Sequence, residues 1–251
     1  MLKRLRPRIL ITGASSRLAQ AIAARLSRSY DLRLIDSVPF QSDHETILCN
    51  ILDPDQVPCA LRKIDVLIHT GEPPPDLPDD PLTRDQMILD FATRGTHVLF
   101  SAAVKAGVKR FVYASTLEIF RNYPDDVYLS ELWKPLPSSD MTTMAKYLGE
   151  LVCREFTREN FVTATSLRLG KLVLADEVKS QTPDLAWLDI SDAAEAFRLA
   201  VKRDVPATAN WVPRWEVFHI GANWTNPRFL IDKAKSELKY EPSHCFDSVG
   251  A

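Results

Sequence analysis

Apolar runs of four to six residues alternate with longer stretches of helical period along nearly the whole chain. Such alternation builds βαβ units, whose parallel strands are apolar throughout because helices cover both faces. Arg8–Thr12 (RILIT) reads as the first strand, and a helix from about Ser16 to Ser27 follows it. Further strands are expected at Leu32–Ile35, around Thr46–Cys49, and at Val66–His69, Arg110–Ala114, Thr163–Arg168 and Val217–Ile220. Helical period runs from about Thr83 to Ala106, Met141 to Glu159 and Ser191 to Lys202, with a short last helix at Asp232–Leu238. Gly107 is a natural C-terminal stop for the first of these. Pro73, Pro74, Pro75, Pro78 and Pro81 break regular structure ahead of it. The expected fold is a doubly wound, mostly parallel α/β sheet, and 251 residues suffice for one such domain.

Charge excludes several classes of partner. Lys plus Arg number 31 against 33 for Asp plus Glu, a net charge of -2. That balance offers no footprint for nucleic acid or an anionic membrane. No apolar run approaches the roughly 18 residues needed to span a bilayer. The start, Met1–Arg8, is basic, but a short strand follows it in place of a signal-peptide core. A cytoplasmic protein is expected. Cys49, Cys59, Cys153 and Cys245 are scattered without a C-x-x-C pair, and the five histidines are equally dispersed. Neither a metal site nor a disulfide framework is expected.

The first strand delivers Thr12-Gly13-Ala14-Ser15-Ser16-Arg17-Leu18-Ala19 straight into a helix. A tight turn at that place lets a pyrophosphate approach the helix N-terminus. Asp36 ends the second strand, 23 residues beyond Gly13. A carboxylate there accepts hydrogen bonds from a ribose diol and repels a 2′-phosphate. With only 8 glycines in the chain, any glycine-rich phosphate motif must be degenerate.

On these residues the chain resembles the extended short-chain dehydrogenase/reductase family, the sugar-nucleotide epimerases and dehydratases. Thr12 and Gly13 keep the start of its T-G-x-x-G-x-x-G fingerprint, with Ser16 and Ala19 in the later glycine places. The likeness continues through Asn50-Ile51, Ile68-His69-Thr70-Gly71, Arg94-Gly95-Thr96 (with Ala92 where the family has Asn) and Arg110–Thr116. It runs on through Ala145–Glu150, Leu188–Ala196 and Asp232–Pro242. The resemblance implies a Rossmann fold binding NAD through Gly13, Ser15, Ser16, Arg17, Leu18, Asp36, Asn50, Ile51, Thr70, Gly71, Ser115 and Lys146. It also implies a sugar nucleotide or sugar acid as substrate, and a homodimer formed through the helices near 84–106 and 141–159. The core would be about 7–170 and 187–222, with substrate-side segments at about 171–186 and 223–251. Only about twenty residues lie between Arg168-Leu169-Gly170 and Trp187-Leu188-Asp189, which is most similar to the uronate dehydrogenases.

In that family a Tyr-x-x-x-Lys pair does the acid/base work, because i, i+4 spacing puts both side chains on one helix face. The ammonium lowers the phenol's pKa from about 10, so that it can exchange a proton with a substrate hydroxyl. Lys146 and Thr116 match the family's lysine and hydroxyl positions, but Thr142 stands where the tyrosine belongs. No Tyr-x-x-x-Lys occurs anywhere in the chain. Three readings follow. In the first another group acts: Glu118, where related dehydratases place a glutamate, or else Tyr123, Tyr128 or Tyr147, the last about 100° round the helix from Lys146. Alternatively the chain binds a dinucleotide without chemistry, or has lost nucleotide binding as well. Trp211, Trp215 and Trp224 are expected to anchor the C-terminal part on the core.

Overall fold

The computed structural model describes residues 6–203 and 213–247. Seven parallel strands form one sheet: β1 (Arg8–Thr12), β2 (Asp31–Asp36), β3 (Glu45–Leu48), β4 (Val66–His69), β5 (Arg110–Thr116), β6 (Thr163–Leu169) and, after two short strands introduced below, β9 (Trp215–Ile220). Their order is β3-β2-β1-β4-β5-β6-β9. Helices α1 (Arg17–Leu26), α2 (Val57–Ala60), α3 (Pro81–Asp90), α4 (Thr96–Lys105), α5 (Met141–Glu159) and α6 (Ile190–Lys202) supply the crossovers. The period of two along each strand divides the core into two layers. Ile9 and Ile11 of β1 face α1 and α6, packed with Leu18, Ile22, Ala193 and Phe197. Leu10 of the same strand points the other way, into a layer with Leu99, Phe100 and Cys153. The doubly wound parallel architecture is therefore the one the alternating pattern predicts.

The chain order reverses between β1 and β4, which start connections to opposite sides. Open α/β sheets bind ligands at such a switch point, outside the carboxyl ends of the strands. The turns after β1, β4 and β5 all open there.

Several elements differ from expectation. The stretch expected as one helix from about Thr83 to Ala106 starts at Pro81 and is interrupted by a π turn at Phe91–Gly95. Proline suits a first helical position, and Asp80 caps it by accepting from the Thr83 amide at 2.8 Å. The π turn brings Gly95 against Ile51, whose side chain would lie 3.0 Å from any β-carbon there. The last helix is likewise largely a π turn, Ala234–Leu238, closed by Lys239 in the left-handed conformation. Two three-residue strands, β7 (Lys171–Val173) and β8 (Trp187–Asp189), pair in parallel and were too short to show in the pattern. Trp215 donates from Nε1 to Ser166 Oγ at 3.2 Å, and Trp224 packs with Phe246 and Trp187, so both anchor the C-terminal part. Trp211 lies outside the described residues. Among the described residues no helix is long and apolar enough to cross a membrane.

Candidate functional site

The turn after β1 is built around Gly13, whose φ of +65° favours glycine. A β-carbon there would also lie 2.3 Å from Thr70 Oγ1, so any other residue would be strained in its backbone and would displace the Thr70 hydroxyl. Ser16, in the second glycine place of the fingerprint, closes the turn itself. Its hydroxyl donates to Gly13 O at 2.7 Å and accepts from the Ala19 amide at 3.2 Å, capping α1. Beside this cap a cavity of about 430 Å³ is lined by Ser16, Arg17, Leu18, Glu72, Lys171 and Glu177 among others. The unpaired amides of a helix N-terminus make such a place suited to phosphate.

Asp36 is buried at the end of β2 and ties the turn to that strand. One carboxylate oxygen accepts from the Ser15 amide at 2.8 Å, the other from the Ser37 amide at 2.7 Å. The second oxygen also accepts from Ser37 Oγ and the Val38 amide at 3.5 Å, so the oxygen facing Ser15 is the one with a lone pair left for a ribose hydroxyl. Arg17, the basic residue of the turn, is paired with Glu177 at 3.0 Å. Asn50 is exposed and accepts from the Leu52 amide at 3.0 Å, while Ile51 is buried against Gly95.

On the other side of the switch point, Thr70 donates to Thr12 O at 3.0 Å and Gly71 adopts a φ of +62°. Lys146 reaches this segment from α5. Its ammonium donates to Thr70 O and pairs with Glu72, both at 2.8 Å, and the side chain is only 12% exposed. Tyr113 fixes the backbone behind it by donating to Lys146 O at 3.2 Å. The Tyr113 ring needs Gly149, where a β-carbon would sit 2.1 Å from the phenol oxygen. Burial pushes the Tyr113 phenol well above its ordinary range, so it is a strut and no acid. His69 spans the same floor, with Nδ1 2.7 Å from Thr12 Oγ1 and Nε2 3.0 Å from Thr96 Oγ1.

At the end of β5, Ser115 is buried and its hydroxyl has no hydrogen-bond partner among the described residues. Thr116 accepts from the Glu118 amide at 3.2 Å and so caps the short 3₁₀ turn Leu117–Phe120. Glu118 lines a cavity of about 940 Å³ with Arg121, Asp125, Lys171, Asp184 and Arg228. Lys171 also lines the cavity beside Ser16, and thus stands between the two. Thr142 lies exposed in the first turn of α5, one turn before Lys146. The fold thus brings Lys146 to Thr70 and Glu72, and Thr116 to Glu118.

The other tyrosines are employed elsewhere. Tyr123 donates to Lys134 O and Tyr128 to Asn226 Oδ1, each at 2.9 Å. Tyr147 packs on the cluster of Leu117, Phe120 and Phe229. The sequence reading missed Glu72, whose signal was a carboxylate directly after the Ile68–Gly71 segment. It also missed the pairing of Arg168 with Glu150, a buried bidentate contact at 2.6 and 3.0 Å. Glu150 stands in the α5 segment that carries Lys146, so this contact holds α5 on β6.

A parallel sheet with a capped glycine turn, a carboxylate ending β2 and a lysine at the switch point defines a dinucleotide-binding fold of the Rossmann class. The profile of the NAD dependent epimerase/dehydratase family matches residues 9–186, and the chain belongs to that family. The NAD-dependent glucose-6-phosphate dehydrogenase of Haloferax volcanii is 25% identical over 255 residues, covering 93% of this chain and 92% of its own. The uronate dehydrogenase of Pseudomonas syringae is 24% identical, covering 94% of this chain and 81% of its own. A short-chain dehydrogenase/reductase superfamily protein from Agrobacterium tumefaciens with bound NAD superposes with a TM-score of 0.78 at 20% identity. The alignment spans 97% of this chain and 94% of that one, and shows the common fold.

Proposed function

We propose that the chain is an NAD-dependent enzyme of a sugar acid or sugar nucleotide, working through Thr116, Glu118 and Lys146 in place of the family's tyrosine. The observation that carries this reading is the pair of cavities meeting at Lys171, one beside the α1 cap and one beside Glu118. The residues present fit the cofactor: Gly13 gives the tight turn ahead of α1, Asp36 ends β2, and the Ser115 hydroxyl is buried without a partner among the described residues. NAD, when bound, supplies the hydride acceptor. Gly13, Ser15, Ser16, Arg17 and Leu18 would hold the pyrophosphate and Asp36 the ribose diol. Asn50 and Ile51 would flank the adenine, and Thr70, Gly71, Ser115 and Lys146 the other half. Thr116 would orient a substrate hydroxyl, Glu118 would take its proton, and Lys146 would keep positive charge beside it. Segments 171–186 and 223–251, the last four residues of which lie outside the described ones, would form the substrate side, and two copies would pair through α3, α4 and α5.

Cofactor choice tests the binding half. Asp36 opposes a 2′-phosphate, and Arg17, the basic group of the turn, is already engaged by Glu177. Calorimetry is expected to give tighter binding of NAD(H) than of NADP(H), and Asp36→Ala should erase the preference. Tighter NADP(H) binding by the natural chain would overturn the assignment.

A second reading, a dinucleotide-binding protein without chemistry, is favoured by Thr142, since an aliphatic hydroxyl cannot replace a phenol in proton transfer near neutral pH. Thr142 is exposed one turn from Lys146, so a tyrosine there is sterically tolerable. Thr142→Tyr is expected to create or greatly raise hydride transfer with uronic acids or sugars, followed by NADH absorbance. Equal and negligible turnover in both proteins would point to a lost substrate site.

A further inference from the structure

We propose that Glu72 is an affinity-setting residue of the dinucleotide site, an acidic group that competes with the ligand's phosphates for the positive charge of the crevice. The proposal rests on the cofactor reading above. Three observations support it. Glu72 directly follows the Gly71 turn, and its Cβ lies 3.8 Å from where a β-carbon on Gly13 would stand. It lines the same cavity as Ser16, Arg17 and Leu18 at the N-terminus of α1. Its carboxylate is 2.8 Å from the Lys146 ammonium, which is nearly buried, while Glu72 itself is 39% exposed.

The same cavity repeats the arrangement at Arg17, whose guanidinium is paired with Glu177 at 3.0 Å. The cations of Arg17 and Lys146 are thus each matched by a carboxylate of this chain. Lys171, which lines this cavity with Arg17, lies 3.8 Å from Asp184. A pyrophosphate brings further negative charge to a helix N-terminus whose neighbouring cations are already matched. Like charges lining one cavity oppose binding, the more so where protein replaces water. Glu72 bears on this more than Glu177, because its partner is buried and cannot swing into solvent.

The experiment is calorimetric titration of NAD and ADP-ribose into the natural chain and Glu72→Gln. Glutamine keeps size and an acceptor for Lys146 while removing the charge. Both ligands are expected to bind Glu72→Gln about tenfold tighter, the factor that about 1.4 kcal/mol represents. The gain should shrink in 0.5 M salt, about the range where the screening length drops well below 10 Å. Detectable binding by Glu72→Gln alone would support the proposal equally. Equal or weaker binding by the variant would overturn it and leave the cofactor reading intact. Absence of binding by both, with Glu72→Ala also silent at millimolar ligand, would overturn this proposal and the cofactor reading together.

Discussion

Between pH 7 and 5 the folded chain is expected to lose about 4 kcal/mol of unfolding free energy, about 2 kcal/mol from each of two buried histidines. His69 and His219 are both fully excluded from solvent. Burial, aided by the Lys146 charge, pushes His69 down to about 3. Burial, aided by the Arg168 charge in the neighbouring strand, does the same for His219. Unfolded, each ring titrates near 6.5. Below that pH the unfolded chain takes up protons that the native one refuses, so stability present above 6.5 falls until about pH 3. Glu131 works the other way, since burial raises its carboxyl and its protonation relieves the native state as pH drops. The net loss is therefore expected to be somewhat smaller than the histidine sum. Urea unfolding at pH 7, 6 and 5 measures it. His69→Gln should lessen the slope of stability against pH, even if it lowers stability throughout. Equal stability at the three pH values would show that these rings titrate normally.

The elements that were readable are those buried on both faces. RILIT and RFVYAST are apolar because α1 and α6 cover one side of the sheet and α4 and α5 the other. The glycine turn after β1, the place of Asp36 at the end of β2 and that of Lys146 on α5 were readable because each is fixed locally, by a strand end or a helix register. What escaped was pairing across long sequence distance. Lys146 and Glu72 are 74 residues apart, and either alone reads as a surface charge. Tyr113 reads as an ordinary strand aromatic until Gly149 is seen to make room for it. The π turn at Phe91–Gly95 escaped because its residues keep helical period on both sides, and the contact that favours it, Gly95 on Ile51, is tertiary. The site's frame is local, and its electrostatics are not.

With Glu118 as the base proposed above, Glu118→Gln is expected to lower kcat by about 10²–10⁴-fold, the usual cost of removing a positioned acid/base group. Its placement supports the role. Glu118 follows β5 at the carboxyl end of the sheet, where such folds hold their ligands. Thr116 fixes its backbone at 3.2 Å, and the side chain faces a cavity of about 940 Å³ large enough for a sugar. Glutamine preserves the size of the side chain and the Thr116 cap, which is made by the Glu118 amide alone, so the fold should be unaffected. A base acts on kcat and on its acidic pH limb, whereas a mere substrate contact would raise KM and leave that limb in place. The measurement is steady-state turnover of an accepted sugar acid or sugar nucleotide by both proteins across pH 5 to 9. A large fall in kcat with loss of the acidic limb is the expected result. A change below about threefold, small against the loss of a general base, would remove Glu118 from the mechanism and put the binding-protein reading ahead.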